Sequence, residues 1–223
     1  MEEEEFYNNI QKAFENLPEN FSIMEEQIDI EVQMKYFEYA RKIRKDGKNE
    51  EAFIKKDELF DSAVDSERKK EILTGLAGVD DVKAFRTIER YLSNAEPEIE
   101  DWATIAYQES KMLMHSSLLD EQQFFISTGL GGKDKKLRYF VVFIGQNQDN
   151  ILTDTQRKLL KNELIYMLKG HDGQFETIDF IEGFATALIM LPISADLKKI
   201  VKDVVEECNQ YGGFLQEDVI ITN

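Results

Sequence analysis

The stretch "FETIDFIEGFATALIMLP", Phe175 to Pro192, decides the fold. Read at a period of two, it gives two strands that turn around Glu182 and Gly183 and stop at Pro192. Read at a period of 3.6, Phe180, Ile181, Phe184, Leu188 and Leu191 line one face of a helix. Glycine costs about 1 kcal/mol inside a helix, and several positions of the run are β-branched or aromatic, which suits a pleated surface. These two facts favour the strands, and with them a sheet.

Working outward, "LRYFVVFIG", Leu137 to Gly145, is a nearly continuous apolar run, as expected of a central strand covered on both faces or facing a crowded core. Between the two, Thr153 and Gln156 form a capping box, and Leu159, Leu160, Leu164, Met167 and Leu168 give a helix that ends near Gly170. Downstream, Ser194 opens a helix with the stripe Leu197, Ile200, Val201, Val204, Val205 and Cys208; after Gly212 and Gly213 the chain closes with a strand in "FLQEDVIITN". The order β, α, β, β, α, β is that of a ferredoxin-like split sandwich. Phe124 to Thr128 supplies an extra strand ahead of it, joined as a hairpin through the glycines 129, 131 and 132.

The first half reads as helices. One spans residues 4–17 and stops before Pro18. Ser22 with Glu25 makes a capping box for a second, which runs to about Asp46 with Gly47 beyond it and Ile23, Met34, Phe37, Ala40 and Ile43 as its buried stripe. A third covers Glu50 to Phe60. Ile72, Leu73 and Leu76 mark a fourth, stopped near Gly78; Asp80 or Asp81 caps a fifth with Val82, Phe85, Ile88 and Leu92 on one face. After Pro97, the positions Ile99, Trp102, Ala103, Ala106, Ser110 and Leu113 follow helical spacing.

The segment "TIERYLSNAEPEIEDWATIAYQESKML", Thr87 to Leu113, resembles a HEAT-type repeat: a first helix ending in leucine, a turn carrying Pro-Glu-Ile, then a second helix with Ala103 and Ala106 at inward positions. It departs from the pattern at Glu100 and Asp101, where many such repeats carry a basic residue. The resemblance implies stacked antiparallel helix pairs and favours a protein-binding role.

Charge divides the chain as well. Of the formal net charge of -17, residues 1–120 carry -13, from 29 acidic and 16 basic side chains. Residues 121–223 carry -4, from 15 and 11. The shift marks a boundary near residue 120, giving an all-helical HEAT-like domain over 1–120 and an α+β ferredoxin-like domain over 121–223. So negative a field repels phosphate, which disfavours nucleic acid and anionic membrane as partners. The start "MEEEEFYNNI" lacks the marks of a signal or transit peptide, and no apolar run of about 18 residues is present. The single cysteine fits a reducing compartment, so a cytoplasmic location is expected.

Few residues suggest chemistry. Gly129, Gly131, Gly132 and Lys133 fail the phosphate-loop pattern, because the first glycine, the Ser or Thr after the lysine and the following helix are all missing. Two histidines, His115 and His171, and one cysteine offer no zinc spacing. The carboxylates Asp57, Glu58, Asp61 and Asp65, or Glu25, Glu26 and Asp29, read as solvated helix faces. Cys208 lies on an apolar stripe, where burial works against reactivity. Trp102 reads as core, and Tyr107, off its phase, as exposed.

The expectation is therefore no catalytic, metal or cofactor site. Lys133, Lys135, Lys136 and Arg138 form one local positive patch and, with Tyr107, are the candidate partner contacts. The function read from this is a non-catalytic protein-protein interaction or adaptor module, with a homodimer possible. The alternative is a small-molecule-binding or regulatory module built on the ferredoxin-like sheet.

Overall fold

The computed structural model describes residues 21–120, 124–147 and 152–223, which form two compact units meeting at Gly129 and Leu130. The helix expected over 4–17 lies outside the described residues. The architecture is α+β: a helical unit, then an antiparallel sheet. Each unit has its own apolar core.

The helical unit holds α1 (Ile30–Lys45), α2 (Asn49–Ile54), a 3-10 turn (Lys56–Phe60), α3 (Ser66–Ala77), α4 (Val82–Leu92) and α5 (Glu100–Leu119). The helix expected from Ser22 begins later. Phe21–Ile23 is instead a strand, β1, and Asp29 caps α1 by accepting from the Glu31 N–H at 2.7 Å. The expected stripe is therefore right at Ala40 and Ile43 of α1 and wrong at Met34 and Phe37. The inward face is Gln33, Tyr36, Ala40 and Ile43, while Met34 and Phe37 face outward. The end of α1 is as read, with Gly47 at φ +68. Residues 50–60 split into α2 and the 3-10 turn rather than one helix. Asp65 and Asp81 cap α3 and α4 through the N–H groups of Arg68 and Lys83.

Trp102 is the hub of this unit. The rings of Tyr36 and Tyr39 meet its ring edge-on at 5.2 and 5.7 Å between centroids. Its indole N–H donates to Thr74 Oγ1 at 2.9 Å, and the Thr74 hydroxyl donates to the Lys70 carbonyl at 2.7 Å. A second pin joins α1 to α5, where the Tyr36 hydroxyl donates to Glu109 Oε2 at 2.6 Å and Arg44 pairs with the other oxygen.

The strand expected to form a hairpin with 137–145 belongs elsewhere. Phe124–Ile126, β2, pairs in parallel with β1, and the Met24 N–H donates to the Ile126 carbonyl at 2.9 Å. Buried Gln33 explains this placement. Its amide donates to the carbonyls of Ile28 and Thr128 at 2.7 and 3.1 Å and accepts from the Ser127 hydroxyl, so the exit of β2 is tied to the first turns of α1.

In the second unit β3 (Gly132–Lys133) and β4 (Lys136–Gly145) make the hairpin, turning through Asp134 and Lys135 at φ 50 and 63. Two successive positive φ angles are the mark of a type I′ turn. The glycine cluster thus precedes the turn rather than making it. Next come α6 (Asp154–Gly170), β5 (Gln174–Ile181), β6 (Phe184–Pro192), α7 (Leu197–Asn209) and β7 (Leu215–Thr222). The expected pair of strands in 175–192 is present, with Gly183 at φ +75. Strands lie in the order β7, β4, β6, β5, all antiparallel, and β3 shares the β7 edge of β4.

Val141, Phe143, Ala185, Ala187, Ile189 and Leu191 point from the sheet into a core with Leu160, Leu164 and Leu168 of α6 and the expected stripe of α7. The helix cap is Asp196, not Ser194, and the Thr153 capping box is formed as read. Alternation sends Phe140, Val142, Ile144, Phe184 and Leu188 to the opposite face, where they are half-buried. Among the described residues no helix is long and apolar enough to cross a membrane.

Gly75 of α3 touches α2 so closely that a Cβ there would lie 2.4 Å from Ala52 Cβ. Helix propensity alone favours Gly75→Ala by about 1 kcal/mol, but forcing atoms into a filled contact costs about 1–3 kcal/mol. Gly75→Ala is predicted to lower the urea midpoint, and adding Ala52→Gly to recover most of the loss.

Candidate functional site

The four cations of the expected basic patch do not stand together in solvent. Lys136 is buried, and its ammonium lies 3.2 Å from Asp172. Arg138 is half-buried and grips Glu176 through two bonds of 2.7 and 3.0 Å, and it also donates to the Leu130 carbonyl at 2.7 Å. Lys133 and Lys135 are exposed at the hairpin tip. Pairing of Lys136 with Asp172 and of Arg138 with Glu176 leaves a smaller positive surface than the sequence spacing suggests.

Tyr107 is half-buried and stacks on Phe85 with ring centroids 5.3 Å apart. It lines a cleft of about 310 Å³ with Ser22, Glu26, Lys111, Met112 and His115. His171 ends α6 with Nδ1 at 3.0 Å from the Met167 carbonyl, to which it donates. Of the carboxylates expected to cluster near residue 60, Glu58, Asp61 and Asp65 have structural partners. Asp61 and Asp65 cap turns through the N–H groups of Ala63 and Arg68, while Glu58 joins Glu51 and Glu71 around the Arg68 guanidinium. Among the described residues no three His, Cys, Asp or Glu side chains are grouped to hold a metal ion.

Two surfaces stand out that the sequence reading did not single out. The first is the outward face of α1. Ile30, Met34 and Phe37 are 51, 59 and 38% exposed, and at helical spacing they run on into exposed Arg41 and Lys45. In a chain of net charge -17, α1 carries five basic side chains against two acidic ones. The available signal was the i, i+4, i+7 spacing of apolar residues on a second face, which the phase taken from Ile23 merged with the core.

The second is a cleft of about 370 Å³ bounded by the 3-10 turn, α3, α4 and the loop that follows α4. Leu59 and Phe60 form an apolar wall; Lys69, Arg90, Tyr91 and Glu96 bring polar groups. Lys69 is only 4% exposed and donates to Glu96 Oε1 at 2.6 Å. The Tyr91 hydroxyl donates to the other oxygen at 3.2 Å. The Arg90 guanidinium carbon lies over the Phe60 ring, 3.8 Å from its centroid. The hydrogen bond from Lys69 holds the Glu96 carboxyl below its usual range, and burial, with the charge of Glu96, pushes the Tyr91 phenol up to about 12. Lys69 shares the helical phase of Ile72 and Leu76, and a lysine on a core stripe was the signal in the sequence.

No protein-family model matches the chain, and no curated protein matches it.

Cys208 is buried, as its stripe implied, and burial first, then Glu163 and Glu207, pushes its thiol up to about 12. Between the ordinary thiol range, about 8.5, and that value, the folded chain keeps a proton that the unfolded chain releases. Stability therefore falls as pH rises through this window. The native chain is predicted to resist a thiol reagent at pH 8 and to react fully in denaturing urea. The stability of the native chain relative to Cys208→Ala should decline between pH 8 and pH 10.

Proposed function

We propose that this chain is a non-catalytic protein-binding module, and that the outward face of α1 receives an acidic amphipathic helix of a partner protein. The observation that carries this reading is the exposed stripe Ile30, Met34 and Phe37, continued by Arg41 and Lys45, on a locally basic helix of an acidic chain. Helix-in-groove recognition reads anchors at i, i+4 and i+7, and exposed apolar residues in one line are a contact surface more often than decoration. Charge selects the partner: attraction to Arg41 and Lys45 steers an acidic segment and repels a basic one. Lys133 and Lys135 at the hairpin tip offer a second, smaller contact for acidic groups.

The finer fold assignments belong to the same reading. The strand order β7, β4, β6, β5, with helices after the first and third strands of the motif, supports a ferredoxin-like split sandwich for the second unit. Successive helices α3, α4 and α5 joined by short turns support the HEAT-like resemblance. Both architectures bury one face and leave another for recognition.

The test is affinity purification from the chain's own cells, followed by binding to the partner thus identified. Met34→Asp with Phe37→Asp should leave the circular dichroism unchanged and weaken binding at least tenfold. Arg41→Glu with Lys45→Glu should weaken it too, and reversing acidic residues on the partner's helix should restore it. Unchanged binding, or a bound segment that is neither acidic nor amphipathic, overturns the proposal. So does a loss confined to self-association in sedimentation, which would assign the face to a second copy.

A further inference from the structure

The Lys69 cleft carries an inference independent of the α1 face. Taking an ammonium out of water is costly unless its partners replace the lost hydration. Lys69 has three N–H groups, yet among the described residues Glu96 is the one acceptor within hydrogen-bond distance. That partner, which also accepts from the Tyr91 hydroxyl, is half open to solvent. The Glu96 side chain is 51% exposed and sits in the loop between α4 and α5, whereas Lys69 lies on α3, at the end of its first turn. A pair kept only for stability could be replaced by two apolar side chains at little loss. Here a buried cation with unused donors faces an open cleft of about 370 Å³, within the size range of small-molecule sites.

The walls define what fits. Leu59, Phe60 and the Tyr91 ring offer an apolar bed, with Phe60 and Tyr91 edge-on at 6.1 Å between centroids. Arg90 is held in place by its contact with Phe60 and adds a second cation to the lining. Lys69 and Arg90 against Glu96 leave one positive charge unmatched among these three. We infer that this cleft binds a small monocarboxylate with an aromatic or aliphatic body, its carboxylate on the Lys69 ammonium and its body along Phe60 and Tyr91. Glu96 is the internal occupant of the ammonium, displaced or shifted when the ligand enters. The role assigned to Glu96 separates the inference from a merely structural ion pair: a structural partner strengthens the site, whereas a competitor weakens it.

The experiment is calorimetric titration and thermal shift on the full chain. Phenylacetate, cinnamate and hexanoate are each compared with the corresponding neutral amide, with inorganic phosphate as an anion lacking an apolar body. At least one carboxylate should raise the melting temperature in proportion to its concentration and bind at least tenfold more tightly than its amide and than phosphate. Lys69→Met should abolish that difference while keeping the circular dichroism of the native chain. Glu96→Gln should strengthen binding several-fold, and it tests the same point at an exposed position should Lys69→Met fail to fold. The inference is overturned if no carboxylate binds better than its amide, if phosphate binds as well, or if Glu96→Gln leaves binding unchanged or weakens it.

Discussion

A buried indole must give its N–H to an acceptor, because an unmet donor in an apolar core costs about 1–3 kcal/mol. Trp102 gives its N–H to Thr74 Oγ1, and this bond fixes how α5 meets α3. Tyr36 and Tyr39 close on the same ring from α1, and Tyr36 goes on to donate to Glu109. Burial, then the neighbouring Glu109 carboxylate, holds the Tyr36 phenol well above its ordinary range, so it stays a donor throughout the physiological range. Both candidate surfaces follow from this arrangement. With Tyr36, Ala40 and Ile43 turned inward, α1 has to present Met34 and Phe37 outward. With Ile72, Leu73 and Leu76 in the core, Lys69 one turn earlier lands at the rim of the cleft.

The sheet unit was legible because its signals are local and agree with one another. Gly183 is costly in a helix and natural at φ +75, so the tight turn between Ile181 and Phe184 outweighed the competing helical spacing. The α7 stripe and the Thr153 capping box depend only on residues within a few turns, and both are formed as read. What was not legible depends on distant partners. Phe124–Ile126 pairs with Phe21–Ile23 about a hundred residues away, held by Gln33, and no spacing within either segment encodes that choice.

The candidate sites show the same division. The cation run Lys133 to Arg138 is conspicuous in the sequence, but its charges are decided by Asp172 and Glu176, which the fold brings alongside. The α1 face was hidden by a phase error of one element, since Ser22 and Glu25 mimic a helix start where a strand forms. Lys69 stood in plain view on an apolar stripe, but its meaning depends on Glu96, Tyr91 and Arg90, which come from another helix and its following loop. Periodicity finds faces; it does not find what a face meets.

The claim on which the account rests is that Trp102 is the packed hub of the helical unit, and the chain's single tryptophan makes it directly measurable. The measurement is Trp fluorescence with iodide quenching, followed through a urea titration. The account predicts a blue-shifted native emission that iodide quenches far less than in urea, moving to the red in one step. A native emission as red and as readily quenched as that of the chain in urea would contradict it.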